Sequence, residues 1–182
     1  GGLGLALSAD ASTLVYQGKQ PANGGTANVF DLADGAWTER GRWNGTSDNR
    51  IQDVVASKNG LVMAIKWLNV TARTVMWRFY ERQAATGQWT QRGSDLDVGA
   101  VMVPDLHGRT GEFLVRQQTG VLFNDDGSMM MYSNSNGISS GSHIVRVYGW
   151  ANNQWVQRGS DIEASGSTGR AMNTAGSVIA IG

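Results

Sequence analysis

The chain is predicted to be all-β, a β-propeller-like array of four-stranded antiparallel blades running to about three and a half repeats. Three observations predict it. The phrase W-[TV]-[EQ]-R-G is written three times, at Trp37 to Gly41, Trp89 to Gly93 and Trp155 to Gly159. A pair of short apolar strands around a tight turn recurs four times, as LALSADASTLVY, DVVASKNGLVMAI, GVLFNDDGSMMMY and GRAMNTAGSVIAIG. The composition also disfavours helix surfaces: Arg outnumbers Lys twelve to three, Asp outnumbers Glu eleven to four, and 25 Gly stand beside only 2 Pro, a bias toward tight turns.

Each unit is read as four strands. In the first, ALS and TLVYQ flank the turn, TANVFDL follows a loop, and AWTER closes the unit. In the third, the same places are taken by VLFN, SMMMYS, HIVRVYGW and QWVQRG. Asp-Gly, Asn-Gly and Asp-Ala at the turns suit hairpins because Gly and Asn tolerate positive φ. The separation from Ala11, Gly60 and Gly127 to the following Trp is 26, 29 and 28 residues, so the unit is well kept. Repeats are placed at about 1–46, 47–97 and 98–163 with a half repeat at 164–182, in a single repeat domain. The surplus length falls in an insert at about 96–120, a place where repeat proteins carry surface loops. VTARTVMWRFYERQAA, from Val70 to Ala85, also fits an amphipathic helix, but its counterparts in the other units are short and β-branched, so a strand is expected.

A blade with apolar residues on both faces needs neighbours to cover it. Strand alternation sends Trp and Glu/Gln of the phrase to one side and Thr/Val and Arg to the other. Trp37, Trp89 and Trp155 are therefore expected to fill space between blades. Arg40, Arg92 and Arg158 are expected to pair with a carboxylate or carbonyl of the adjacent unit, and Gly41, Gly93 and Gly159 to end the phrase. Met129 and Met131 should share one face and Met130 the other. The half repeat leaves Met172, Val178, Ile179 and Ile181 in need of cover, worth about 1.5–3 kcal/mol per side chain. Edge strands available for pairing follow from the same count.

SADAST, SKNG, VRVYGW and WVQRGSDIEAS together resemble tandem-repeat proteins of bacteria and unicellular algae, related in style to FG-GAP and Kelch-like propellers. The resemblance spans essentially the whole chain and implies surface, adhesion or scaffold roles. It also draws attention to a departure: the first unit has Arg42 and Trp43 where the others have Ser-Asp.

Fifteen basic residues balance fifteen acidic ones without like-charge runs, so neither nucleic acid nor membrane insertion is expected. The absence of Cys excludes disulfides, zinc thiolates and thiol nucleophiles. Neither His107 nor His143 sits in a hydrolase context, and no phosphate-binding loop pattern occurs. No cofactor is expected. Ca²⁺ is the one ion with matching ligands, at Asp95 with Asp97 and at Asn124 to Asp126, where turn formation is the simpler reading. These observations give the expectation of a non-enzymatic structural or adhesive module, extracellular or on the cell surface. Its partners would be other copies of itself or the rest of a longer chain. The alternative is a lectin-like propeller binding carbohydrate or peptide through Trp43, Trp150 and His107.

Overall fold

The computed structural model describes residues 4–18, 24–72, 74–97, 120–135, 142–165 and 170–181. Among them every regular element is a strand. The first sheet holds β1 (Leu5–Leu7), β2 (Thr13–Gly18), β3 (Thr26–Ala33) and β4 (Ala36–Asn44) in chain order. The second holds β5 (Asn49–Ala56), β6 (Val62–Asn69), β7 (Thr74–Arg82) and β8 (Trp89–Gln91), with β9 (Leu96–Asp97) beside β7. The third repeats the pattern with β10 (Gly120–Phe123), β11 (Met129–Ser135), β12 (Ser142–Ala151) and β13 (Gln154–Gln157), with β14 (Ile162–Ser165) beside β12. The fourth is the hairpin of β15 (Arg170–Met172) and β16 (Ile179–Ile181). The stretch with the competing helical pattern is strand over Thr74–Arg82. His107 and nearly all of the proposed insert lie outside the described residues.

Alternation along β6 shows how one sheet serves two neighbours. Met63 and Ile65 point toward the first sheet, where they meet Val15, Ala27 and Val29 together with Ile51, Val54 and Tyr80 of their own sheet. Val62, Ala64 and Leu68 point the other way into a second core. There Trp77 and Phe79 pack with Val121, Phe123, Met130 and Tyr132 of the third sheet. Neighbouring methionines part as alternation requires: Met130 joins that core, while Met129 lies against Gly176 of the fourth sheet.

The leading hairpins share one turn. The side-chain oxygen of its first residue accepts a hydrogen bond from the amide five residues on: Thr13 to Ser8 at 2.8 Å, Val62 to Ser57 at 3.0 Å, and Met129 to Asn124 and Val178 to Asn173 at 2.9 Å. Successive turns are then tied by backbone bonds from Ala9 N to Lys58 O (2.6 Å), Asn59 N to Asp125 O (2.9 Å) and Asp125 N to Thr174 O (3.3 Å). Lys58 adds an ion pair to Asp125 at 2.6 Å.

The fourth turn residue has positive φ in every copy, at Ala11, Gly60, Gly127 and Gly176. At Gly127 a Cβ would stand 2.6 Å from Val62 of the preceding sheet, and at Gly60 2.9 Å from Thr13. Only the first copy can carry alanine, because no described sheet precedes it. Gly127→Ala is expected to lower stability by about 2–4 kcal/mol, from left-handed backbone strain plus overpacking. Ala11→Gly should change it by less than about 1 kcal/mol; chemical denaturation of both variants checks the contrast.

Candidate functional site

The W-[TV]-[EQ]-R-G phrase is where neighbouring sheets grip each other. Trp89 packs against the core between the first and second sheets, and Trp155 against the core between the second and third. Trp37, with no described sheet before it, is 44% exposed. The arginines differ from their expected pairing. Arg40 meets Asp31 (3.5 Å) and Arg92 meets Glu81 (3.7 Å), each within its own sheet, while Arg158 lies against Gly149 of its own sheet. The reach across a junction is instead a cation–π contact: the Arg92 guanidinium lies 4.5 Å from the Trp150 ring and 5.3 Å from Trp155. A Cβ on Gly93 would meet Trp150 at 2.9 Å and one on Gly41 would meet Trp43 at 2.9 Å, while Gly159 has nothing within 4 Å.

Trp43 and Trp150 sit in these junctions, Trp43 on Tyr80 with ring centroids 4.9 Å apart and Trp150 against Trp155 at 5.2 Å. The Ser-Asp departure now has a physical account. Asp95 makes a bidentate pair with Arg78 (2.8 and 2.6 Å), and Asp161 one with Arg146 (2.8 Å twice). The carboxylates hold both guanidiniums well above the usual arginine range. Trp43 takes the aspartate's place in the first sheet. Of the oxygens considered for Ca²⁺, those of Asp95 are engaged by Arg78, Asp125 by Lys58 and Asp126 by Asn124 and the Ser128 amide.

A second constellation carries charge into the interior at the entry end of the first strands. Four residues before each turn stand Gly4, Asp53 and Gly120. Nine residues after each turn's first position stand Gln17, Lys66 and Ser133, exposed by only 4%, 6% and 3%. Gln17 Nε2 donates to Ile51 O of the next sheet (3.0 Å), and Gly4 N donates to Gln17 Oε1 (3.4 Å). Arg170 of the fourth sheet donates to Ser133 Oγ and, at 3.5 Å, to Gly120 O. Lys66 takes the same place in the second sheet, on the face of β6 that turns toward the third.

Asp53 stands directly opposite Lys66 in the β5–β6 register, just past an irregularity between Ile51 and Asp53 that leaves Gln52 unpaired. Such a bulge re-aims the following side chain. Asp53 Oδ1 accepts from Val54 N at 2.9 Å, and a Cβ at Gly4 would come within 2.5 Å of that oxygen. Glycine is therefore required at Gly4 to leave room for the carboxylate. Burial pushes the Asp53 carboxyl up, against the opposing pull of the Val54 amide and Lys66. Burial pushes the Lys66 ammonium down to about 8, with Asp53 opposing. The pair thus has an acid and a base drawn toward neutral pH from opposite sides.

Because the unfolded chain returns Lys66 to about 10.4, it binds more protons than the folded chain between those values. Stability is therefore expected to rise as pH increases through this window, by about 2 kcal/mol from pH 7.5 to 9.5. Lys66→Met should abolish that rise; urea denaturation of both proteins across the window reads it. Buried Tyr80 and Tyr132, whose phenols are pushed up by burial, act in the opposite sense above about pH 10, beyond the range used.

Sequence reasoning missed this pair. Two signals for it were present: Asp53 breaks a run of glycines at its repeat position, and Lys66 is the one charged residue in VMAIKWLN.

The fold these sheets define is of β-propeller type. It is similar to three solved structures, two of which carry the name 6-phosphogluconolactonase. The one from Bacteroides fragilis has a TM-score of 0.53 at 13% identity, covering 88% of this chain and 38% of that one. The one from Bacteroides uniformis has a TM-score of 0.53 at 10% identity, with 98% and 46% covered. The third, the periplasmic gluconolactonase of Pseudomonas aeruginosa, has a TM-score of 0.50 at 15% identity, with 97% and 48% covered. The chain thus spans less than half the length of each of these relatives. No protein-family model and no curated protein matches it.

These likenesses overturn the expectation of a non-enzymatic structural or adhesive module, since the architecture is one that proteins named as lactonases carry. Neither nucleophile–base motifs nor paired carboxylates along the chain register a carboxylate set opposite an ammonium by strand pairing. Asp53 and Lys66 are thirteen residues apart and are set opposite each other only by strand register.

Proposed function

We propose that this chain is part of a lactone hydrolase of the propeller class, with Asp53 as general base and Lys66 as the cation facing the developing oxyanion. The observation that carries the reading is a half-buried carboxylate set opposite a buried ammonium in the strand register, at a repeat position where the other sheets have glycine. The likeness to gluconolactonases supplies the substrate class, a sugar-acid lactone.

In the proposed reaction Asp53 takes a proton from water as its oxygen adds to the lactone carbonyl carbon. The carbonyl π pair moves to oxygen, and the resulting oxyanion is stabilised beside the Lys66 ammonium. Collapse re-forms the carbonyl and breaks the bond from the acyl carbon to the ring oxygen, which takes the proton back from Asp53. One water is consumed, and the hydroxy acid released then ionises in solvent.

We also read the sheets as three four-stranded blades and the inner hairpin of a fourth, within a wheel whose other blades belong to a longer chain or a second copy. Trp37 at 44% and Val178 at 62% exposure, and the unfilled space at Gly159, support that reading, as does coverage of less than half of each solved relative. The test of activity is proton release from glucono-1,5-lactone and its 6-phosphate with the purified chain at pH 6.5. Opening faster than the spontaneous rate, lost in Lys66→Met, is expected; rates equal to buffer alone would sink the assignment.

A further inference from the structure

The two complete junctions between sheets are not alike, and the difference opens a cleft. In register terms Arg82 faces Trp89 as Trp150 faces Trp155. At the second junction Trp150 lies over Arg92 and Gly93 and fills the space. At the first junction, the contact with Gly41 is made by Trp43 from the same strand, and Arg82 bends to Asp31 at 2.5 Å. A cleft of about 400 Å³ remains, lined by Glu39, Arg40, Arg82, Thr86, Gly87 and Gln88.

Its electrostatics are set by Asp31, whose side chain is only 10% exposed. It accepts from Thr13 Oγ1 (3.2 Å) and Arg82 Nη2 (2.5 Å) and lies 3.5 Å from Arg40 Nε, so one buried carboxylate holds the Arg82 guanidinium and draws Arg40 to the cleft wall. Arg42 pairs with Glu39 at 2.8 Å. Arg42, outside the lining, thus offsets the Glu39 charge, which leaves Arg40 and Arg82 facing the single carboxylate of Asp31. A planar fork with donors left over after one carboxylate is bound suits a second oxyanion. The hydroxyl of Thr86 and the amide of Gln88 add neutral polar groups at the rim.

We infer that this cleft is a binding site for a small oxyanion, borne by a carboxylate or a phosphate, held by Arg82 and Arg40. The site lies at the trailing hairpins of the first two sheets and is independent of Asp53 and Lys66. The preorganisation of Arg82 by Asp31 reduces the entropy lost on binding. Competition from salt is expected because Arg40 is 46% exposed.

Isothermal titration of the intact chain at low ionic strength tests this, with inorganic phosphate, malonate and glycerol as probes. Saturable binding of phosphate, malonate or both, weakening at least threefold between 20 and 200 mM NaCl, is expected, with none for glycerol. The preferred anion then identifies the source. Thr86→Trp, which blocks the cleft from an exposed turn without touching the Asp31 cluster, should weaken binding at least tenfold. Glu39→Gln, which removes a repelling carboxylate, should tighten it severalfold. No saturation by either anion at 10 mM, or binding unchanged in Thr86→Trp, would overturn the site.

Discussion

Trp155→Ala is expected to lower the stability of the chain by about 2–4 kcal/mol, below the usual loss for a fully buried aromatic because the ring is partly buried against the core. Trp155 packs against Phe79 (5.1 Å between ring centroids), Phe123 (6.1 Å) and Trp150 (5.2 Å), with the Arg92 guanidinium above it. Phe79 and Arg92 belong to the second sheet, so the truncation opens a hole across the junction rather than within one sheet. Its Nε1 has no hydrogen-bond partner among the described residues, so the loss is one of packing and cation–π attraction. Trp37→Ala removes the same residue from the same phrase where the ring is 44% exposed, and should cost less than half as much. Urea denaturation of the two variants side by side measures the contrast. Since typical domains hold only about 5–15 kcal/mol in total, the Trp155 variant should melt clearly below wild type.

Asp53→Asn is expected to reduce lactone opening by about 10²–10⁴-fold, the range for loss of a positioned general base. The amide keeps the shape and can still face Lys66, but it cannot take a proton from water. Lys66 should respond as well, because removing the facing carboxylate takes away the group that favours its charged form. Folding should be little changed, which separates a chemical role from a structural one: circular dichroism and melting near wild type with activity gone is the expected combination. An Asp53→Asn chain as active as wild type would remove this residue from the mechanism.

Much of the architecture was legible because it rests on local chemistry that repeats. The turns at Ser57 to Val62 and Asn124 to Met129 could be read from an Asx or Ser residue five before an apolar strand and a Gly at its fourth position. The phrase ending in Arg92 and Gly93 lies at a junction, against Trp150 of the next sheet. Partner identity was less legible. The sequence pairs Arg92 with a carboxylate or carbonyl across the junction; it finds Trp150 there, because its own Glu81 already stands beside it on the neighbouring strand. Arg82 reaches Asp31 from fifty-one residues away, a contact that no spacing within one repeat encodes.

The Asp53–Lys66 pair was the least visible for a related reason. A strict two-residue alternation through NRIQDVVA assigns faces without the irregularity at Gln52, and so does not place Asp53 opposite Lys66. Burial then changes what the two groups can do, and burial comes from the packing of one sheet on another. Comparing copies at the same repeat position is the signal that survives without coordinates. An aspartate among glycines, like Trp43 among aspartates, marks where one unit has been given a different task.

The pH dependence of lactone opening by the intact chain, corrected for the spontaneous reaction, tests the central claim most directly. A bell is predicted, rising as Asp53 loses its proton somewhat above the ordinary carboxylate range and falling through about pH 8 as Lys66 loses its own. A corrected rate of zero at every pH, or one that stays level through pH 9, would contradict it.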